Sequence, residues 1–152
     1  MKEKVNRFER ILKTRVKFRE EEQLLLSDQK SEEDRLLSCL DALRSEKECA
    51  VTSFCMQQRE LLTPQEMWFQ RKSIDVIEKR ICDGDSSLCD VRQEIEATEI
   101  RLLEKHREVQ IMEKYISFML DELKSVSQKN EQAEMDDIAG IRFGPAGRRR
   151  NS

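Results

Sequence analysis

A single heptad register limits what this chain can fold into more than any other feature. Stepping by seven from Ile74 gives Ile81, Leu88, Ile95, Leu102, Val109, Ile116 and Leu123, each a branched aliphatic residue. The companion positions, three residues on, are Ile77, Gly84, Val91, Thr98, Lys105, Met112, Met119 and Val126. Alternating steps of three and four hold both sets on one stripe of a helix. A stripe sustained this long is the seam of a left-handed coiled coil. Past Val126 the seam turns polar, with Asn130 and Asp137 at the first position and Ala133 at the second.

A less regular stripe precedes it. Leu36, Leu40, Leu43, Lys47, Ala50, Phe54, Gln57 and Leu61 follow the same alternation, and nearer the start Phe8, Ile11, Arg15, Phe18, Glu22 and Leu25 keep it with charged gaps. Ser27–Asp34 contains no apolar residue, so the seam is thin there and a local slip of register or flexibility is expected.

Between the two stripes stands Thr63-Pro64-Gln65-Glu66. Thr63 suits the N-cap, Pro64 the first helical position and Glu66 the third, where its carboxylate can close a capping box. Proline also forbids an uninterrupted helix through Leu62. A chain that stops and restarts with two apolar stripes buries them most readily against each other. The expected fold is therefore all-α: an antiparallel coiled-coil hairpin over residues 1–139, with helix one about 2–61, a turn at 62–63 and a longer helix two about 64–139.

At ~1.5 Å per residue, helix one would span about 90 Å and helix two about 115 Å. Reflection about the turn sets Lys2 near Leu123 and leaves ~16 residues of helix two overhanging the N-terminus. Gly140 is placed to end helix two, and residues 140–152 read as a disordered basic tail.

Composition excludes most other classes. Of 152 residues, 39% are charged against 38% hydrophobic, and nearly half are Ala, Glu, Lys, Leu or Arg, as in long helices. There are two Pro and four Gly, three of the Gly in the last 13 residues, which leaves too few turn signals for a sheet protein. The longest apolar run, Leu24-Leu25-Leu26, is far short of a membrane span, so no direct membrane insertion is expected. The opening residues lack the apolar core of a secretory signal, which reads as a cytoplasmic protein with reduced thiols.

No chemistry-bearing constellation appears. The five cysteines have no CxxC spacing and His106 is the only histidine, so no metal site and no cofactor are expected. Cys82-Asp83-Gly84-Asp85-Ser86-Ser87 is a run of poor helix formers; it reads as a strained but continuous helix, since the oxygen ligands of a calcium loop are missing. A hairpin one helix pair wide offers no cleft for catalysis, so the chain reads as non-enzymatic.

Charge is unevenly placed. Residues 1–19 carry eight Lys/Arg and two Glu, whereas the whole chain has 28 Lys/Arg against 31 Asp/Glu. Such a basic start on an acidic remainder suits contact with an acidic surface, or is simply an uneven solvated helix. Nucleic acid is not the expected partner, because the remainder is acidic and no aromatics interleave the basic residues.

The opening NRFERILKTRVKFREEEQLLL, with an aromatic, an Arg/Lys-rich turn and then Glu-rich residues, resembles the start of the flagellar FliJ and injectisome SctO proteins. Near the end, Glu113-Lys114, Asn130-Glu131-Gln132 and Met135-Asp136-Asp137-Ile138-Ala139 resemble the Glu-Lys pair, the Asn-Glu-Gln stretch and the acidic ending of the flagellar branch. LTPQEMWFQRKSIDVIEKRI is similar to the turn region of injectisome members, so the system served, flagellum or virulence injectisome, stays open.

The resemblance implies a central stalk of the type III secretion ATPase, cytoplasmic and peripheral to the inner membrane at the export apparatus. In such proteins the end holding both termini enters the hexameric ATPase ring and promotes its assembly and ATP hydrolysis. The turn end reaches the cytoplasmic domain of the membrane-embedded export gate, and export chaperones are further possible partners. Carried onto this chain, the ring-binding set is Arg7, Arg10, Lys13, Arg15, Asp136, Asp137 and Ile138, and the gate-binding set is Trp68, Phe69, Ile74 and Ile77. Trp68 and Phe69 fall outside the seam; they either offer aromatic surface or pack on Leu61 or Leu62 to close the hairpin. The competing reading is a generic structural coiled coil that forms a parallel dimer, against which Pro64 and the mismatch between the two seams both speak.

Overall fold

The computed structural model describes residues 2–57 and 63–150, with side chains described as far as Ile141. These residues form two helices, α1 (Lys2–Gln57) and α2 (Pro64–Arg150). They pair as an antiparallel hairpin in which the second helix is the longer. Phe8 meets Tyr115, Glu22 meets Arg101, and Leu40 lies against Gly84. The paired residue numbers sum to about 124 each time, so ascending one helix is descending the other. The two stripes of one chain satisfy each other, which leaves no place for the extended parallel dimer.

Thr63 starts α2. Its carbonyl accepts from Met67 N–H (3.1 Å) and its hydroxyl from Glu66 N–H (3.3 Å). Both belong to an N-cap followed by proline at N1. The return bond from the Glu66 carboxylate is absent from the hydrogen bonds of the described residues. The expected end of helix one at Leu61, and Leu62 of the turn, lie outside them.

The hairpin falls into two compact units, Met1–Arg19 with Lys105–Ser152, and Glu20–Glu104. In the second unit Leu40, Ile77, Leu88 and Ile95 are buried, with Leu40 only 1% exposed. The helix runs unbroken through Cys82–Ser87, as expected. Glycine costs about 1 kcal/mol in a helix interior. Here it clears the space that Leu40 fills, and the apolar burial offsets the loss.

The α1 seam of this unit passes through Glu22, Leu26, Gln29, Glu33, Leu36, Leu40, Leu43 and Lys47, all withdrawn from solvent. The alternation never breaks, so the slip expected over Ser27–Asp34 does not occur. Leu25, expected in the seam, is 40% exposed, and Leu26 takes its place. Apolar seam residues on either side hold the register across this polar stretch. Gln29 Oε1 is consequently buried without a protein partner. Thr98 fares better: its hydroxyl donates to the Glu94 carbonyl (2.9 Å) and accepts from Arg101 Nη2 (3.0 Å), while Arg101 Nε reaches Glu22 (3.4 Å).

In the first unit Val5, Val109, Met112, Ile116 and Met119 are buried. Phe8 meets Tyr115 edge to face, with ring centroids 5.1 Å apart. The α1 seam is Val5, Phe8, Leu12, Arg15 and Arg19, with Ile11 half-buried on its flank. Phe18, expected in that seam, is 45% exposed and lies beside it under the Lys105 ammonium, 5.8 Å from the ring centre.

Leu123 is the last withdrawn residue of α2; Lys124–Ile141 are all exposed. α2 continues past Ala139, the helix end expected from the sequence, as far as Arg150. Gly140 takes no left-handed φ, and nothing lies within 4 Å of where its Cβ would be. Glycine permits a helix stop but does not enforce one, and with no capping geometry the backbone continues.

Candidate functional site

The two candidate surfaces belong to different units. In the first, Arg7, Arg10 and Lys13 are exposed on α1, and the Thr14 hydroxyl donates to the Arg10 carbonyl (3.1 Å). Arg15 occupies a seam position and is only partly exposed. Its charge is thus less available than that of Lys17, an exposed neighbour that sequence reasoning passed over. Asp136, Asp137 and Ile138 are exposed on the stretch of α2 that continues past the start of α1, and Gln132 Nε2 donates to Asp136 (3.3 Å). The fold brings these acidic residues and the basic ones into one unit without contact between them. Asp136 lies about 20 Å of helix beyond Leu123.

A polar group in this unit was also missed. Arg19 Nη1 donates to His106 Nδ1 (3.3 Å), and the Gln110 amide faces His106 Nε2 (3.2 Å). A guanidinium only donates, so His106 Nδ1 accepts in the bond from Arg19. Reflecting residue numbers about the turn at 62–63 pairs Arg19 with His106.

In the second unit the turn-proximal candidates divide. Trp68 and Phe69 are 56% and 64% exposed. Their rings meet edge to face at 5.3 Å, and Lys72 Nζ sits 5.5 Å from the Trp68 ring centre. Ile77 is 7% exposed and Ile74 is half-buried, both facing α1. Those two take part in the seam and offer a partner less surface than the two aromatics. The alternative packing of Trp68 and Phe69 on Leu61 or Leu62 involves residues outside the described ones.

The family model described as Flagellar FliJ protein matches residues 3–148. The chain belongs to the FliJ family. No curated protein and no solved structure matches it. FliJ proteins are cytoplasmic components of the flagellar type III export apparatus, in a structural stalk role and not known as enzymes. No helix among the described residues is long and apolar enough to cross a membrane.

Proposed function

We propose that this chain is the central stalk of the flagellar export ATPase. The end that carries both helix termini inserts into the hexameric ring, promotes its assembly and raises ATP hydrolysis. The turn-proximal end contacts the cytoplasmic domain of the export gate, chiefly through Trp68 and Phe69. Export chaperones bind as transient further partners.

The supporting observation is the composition of the first unit. The basic start of α1 lies along α2, and α2 then continues alone from Lys124 to Ile141, every side chain exposed. A single unpartnered helix is the narrowest element a chain can present to a pore, about 10 Å across with its side chains. The Lys/Arg cluster beside it is steered by acidic loops, an attraction that salt screens beyond ~10 Å.

The test is ATP hydrolysis by the cognate ATPase with substoichiometric amounts of this protein. Stimulation by the intact chain, lost on deleting residues 1–15 while helicity is largely kept, supports the stalk reading. No stimulation under conditions where the ATPase forms hexamers contradicts it.

A further inference from the structure

The start of α1 carries two stripes that could face α2, and the observed packing uses the more polar one. Both stripes share Phe8 and Arg15, which are withdrawn from solvent. The observed seam is completed by Leu12 and Arg19. The other stripe takes Ile11 and Phe18, one residue earlier at each step, and both are apolar. Arg19 is poorly served where it stands. Its Nε is buried without a hydrogen-bond partner, and its Nη1 meets a ring nitrogen of His106 at 3.3 Å. No carboxylate pairs with it among the described residues. Phe18 meanwhile is 45% exposed, and Ile11 is half-buried.

We propose that the first part of α1 is a two-state element that turns about its own axis between these stripes. The turn is ~50°, half the angular step between successive helical residues. It carries Phe18 into the seam and Arg19 out to water, while Leu12 and Ile11 exchange seam and flank. It also swings Val16, half-buried on the opposite flank, outward, so neither packing gains on every count. The observed state presents an aromatic ring beside the seam, and the turned state presents a guanidinium instead. An apolar partner surface selects the first and an acidic surface the second.

The element is bounded by the sequence that follows. Within the second unit the same choice recurs once, with Leu25 40% exposed and Leu26 withdrawn. Seven residues on, the second stripe would need Glu32, whose carboxylate is paired with Arg35, and then Cys39. It has no apolar continuation, and beyond it Leu40 is seated against Gly84 in the observed seam.

A single para-fluorophenylalanine at position 18 of the full chain reports the surroundings of that ring by fluorine NMR. Two resonances linked by saturation transfer are expected. The major one is exposed and shifts between light and heavy water; the minor one is buried and does not. Arg19→Leu gives the observed seam an apolar residue and should lower the buried fraction about tenfold. Leu12→Asn weakens that seam and should raise it about tenfold. Arg19→Leu carries the test by itself if circular dichroism shows that Leu12→Asn loses helix. A single exposed resonance in the parent chain and in every folded variant overturns the proposal. A buried resonance that Arg19→Leu leaves undiminished also overturns it, by assigning the second state to a flip of the ring alone.

Discussion

Leu40 of α1 occupies the space that Gly84 of α2 leaves open. A Cβ at Gly84 would stand 2.7 Å from Leu40 Cδ2 and 3.4 Å from its Cγ. Every other seam position between Ile74 and Leu123 carries a side chain, so this one close approach marks the register of the second unit. It also explains why a run as unfavourable as Asp83-Gly84-Asp85-Ser86-Ser87 remains helical.

Gly84→Ala sets two effects against each other. The alanine gains about 1 kcal/mol of helix propensity. It also forces Leu40, at 1% exposure, out of its seat. Overpacking of that kind costs about 1–3 kcal/mol. The expected net effect is destabilisation by about 1 kcal/mol in urea denaturation. In a Leu40→Ala background the same change should stabilise, a coupling that a double-mutant cycle isolates.

How far the sequence disclosed this arrangement depends on which helix is considered. On α2 the apolar residues recur so regularly that Ile74 to Leu123, Gly84 included, were read in their observed places. On α1 the positions Phe8, Arg15 and Glu22 were right, while Phe18 and Leu25 were assigned to a seam that Arg19 and Leu26 occupy. A hydrophobic pattern follows apolar residues, and here the seam passes through Arg19, Gln29 and Glu33, which the partner helix holds in place. The end of α2 was misread because Gly140 is only permissive. At the candidate sites the outward aromatics followed from the register. The same register places Ile74 and Ile77 in the seam, where they are observed.

Thr98 is fully buried, and its hydroxyl links the Glu94 carbonyl to Arg101. Thr98→Val removes both links and adds a methyl group at a seam position. The hydroxyl's acceptor stays bonded within the helix, and the Arg101 side chain is 47% exposed and free to rehydrate. Stability should therefore rise by up to about 1 kcal/mol, seen as a thermal midpoint a few degrees higher. A loss of more than that amount would mean the hydroxyl pins the register.

Removal of the Thr63 cap should loosen the first turn of α2. Thr63→Ala leaves the Glu66 N–H without its side-chain acceptor, at a cost of about 1 kcal/mol. Thr63→Asp should retain most of the stability. Hydrogen exchange at Glu66 and Met67 reads the difference locally.

Glu32 and Arg35 form a two-pronged pair on the exposed side of α1, with Arg35 Nε donating to Oε2 at 3.0 Å. The hydrogen bond from Arg35, helped by its charge, holds the Glu32 carboxyl below its ordinary value of 4.5. A lowered folded-state value favours the helix above that pH, and the benefit disappears as pH falls through the folded-state value. An NMR titration of the side-chain carboxyl should show Glu32 titrating below 4.5 in the intact chain and returning toward it in Arg35→Ala.

The central claim is that the end bearing both termini, and not the turn, enters the ATPase ring. Photo-crosslinking residues placed singly at Arg10, Ile138 and Trp68, followed by irradiation with the assembled hexamer, test it most directly. The account predicts adducts with the ATPase from positions 10 and 138 and none from position 68. Adducts from position 68, or from none of the three, would contradict it.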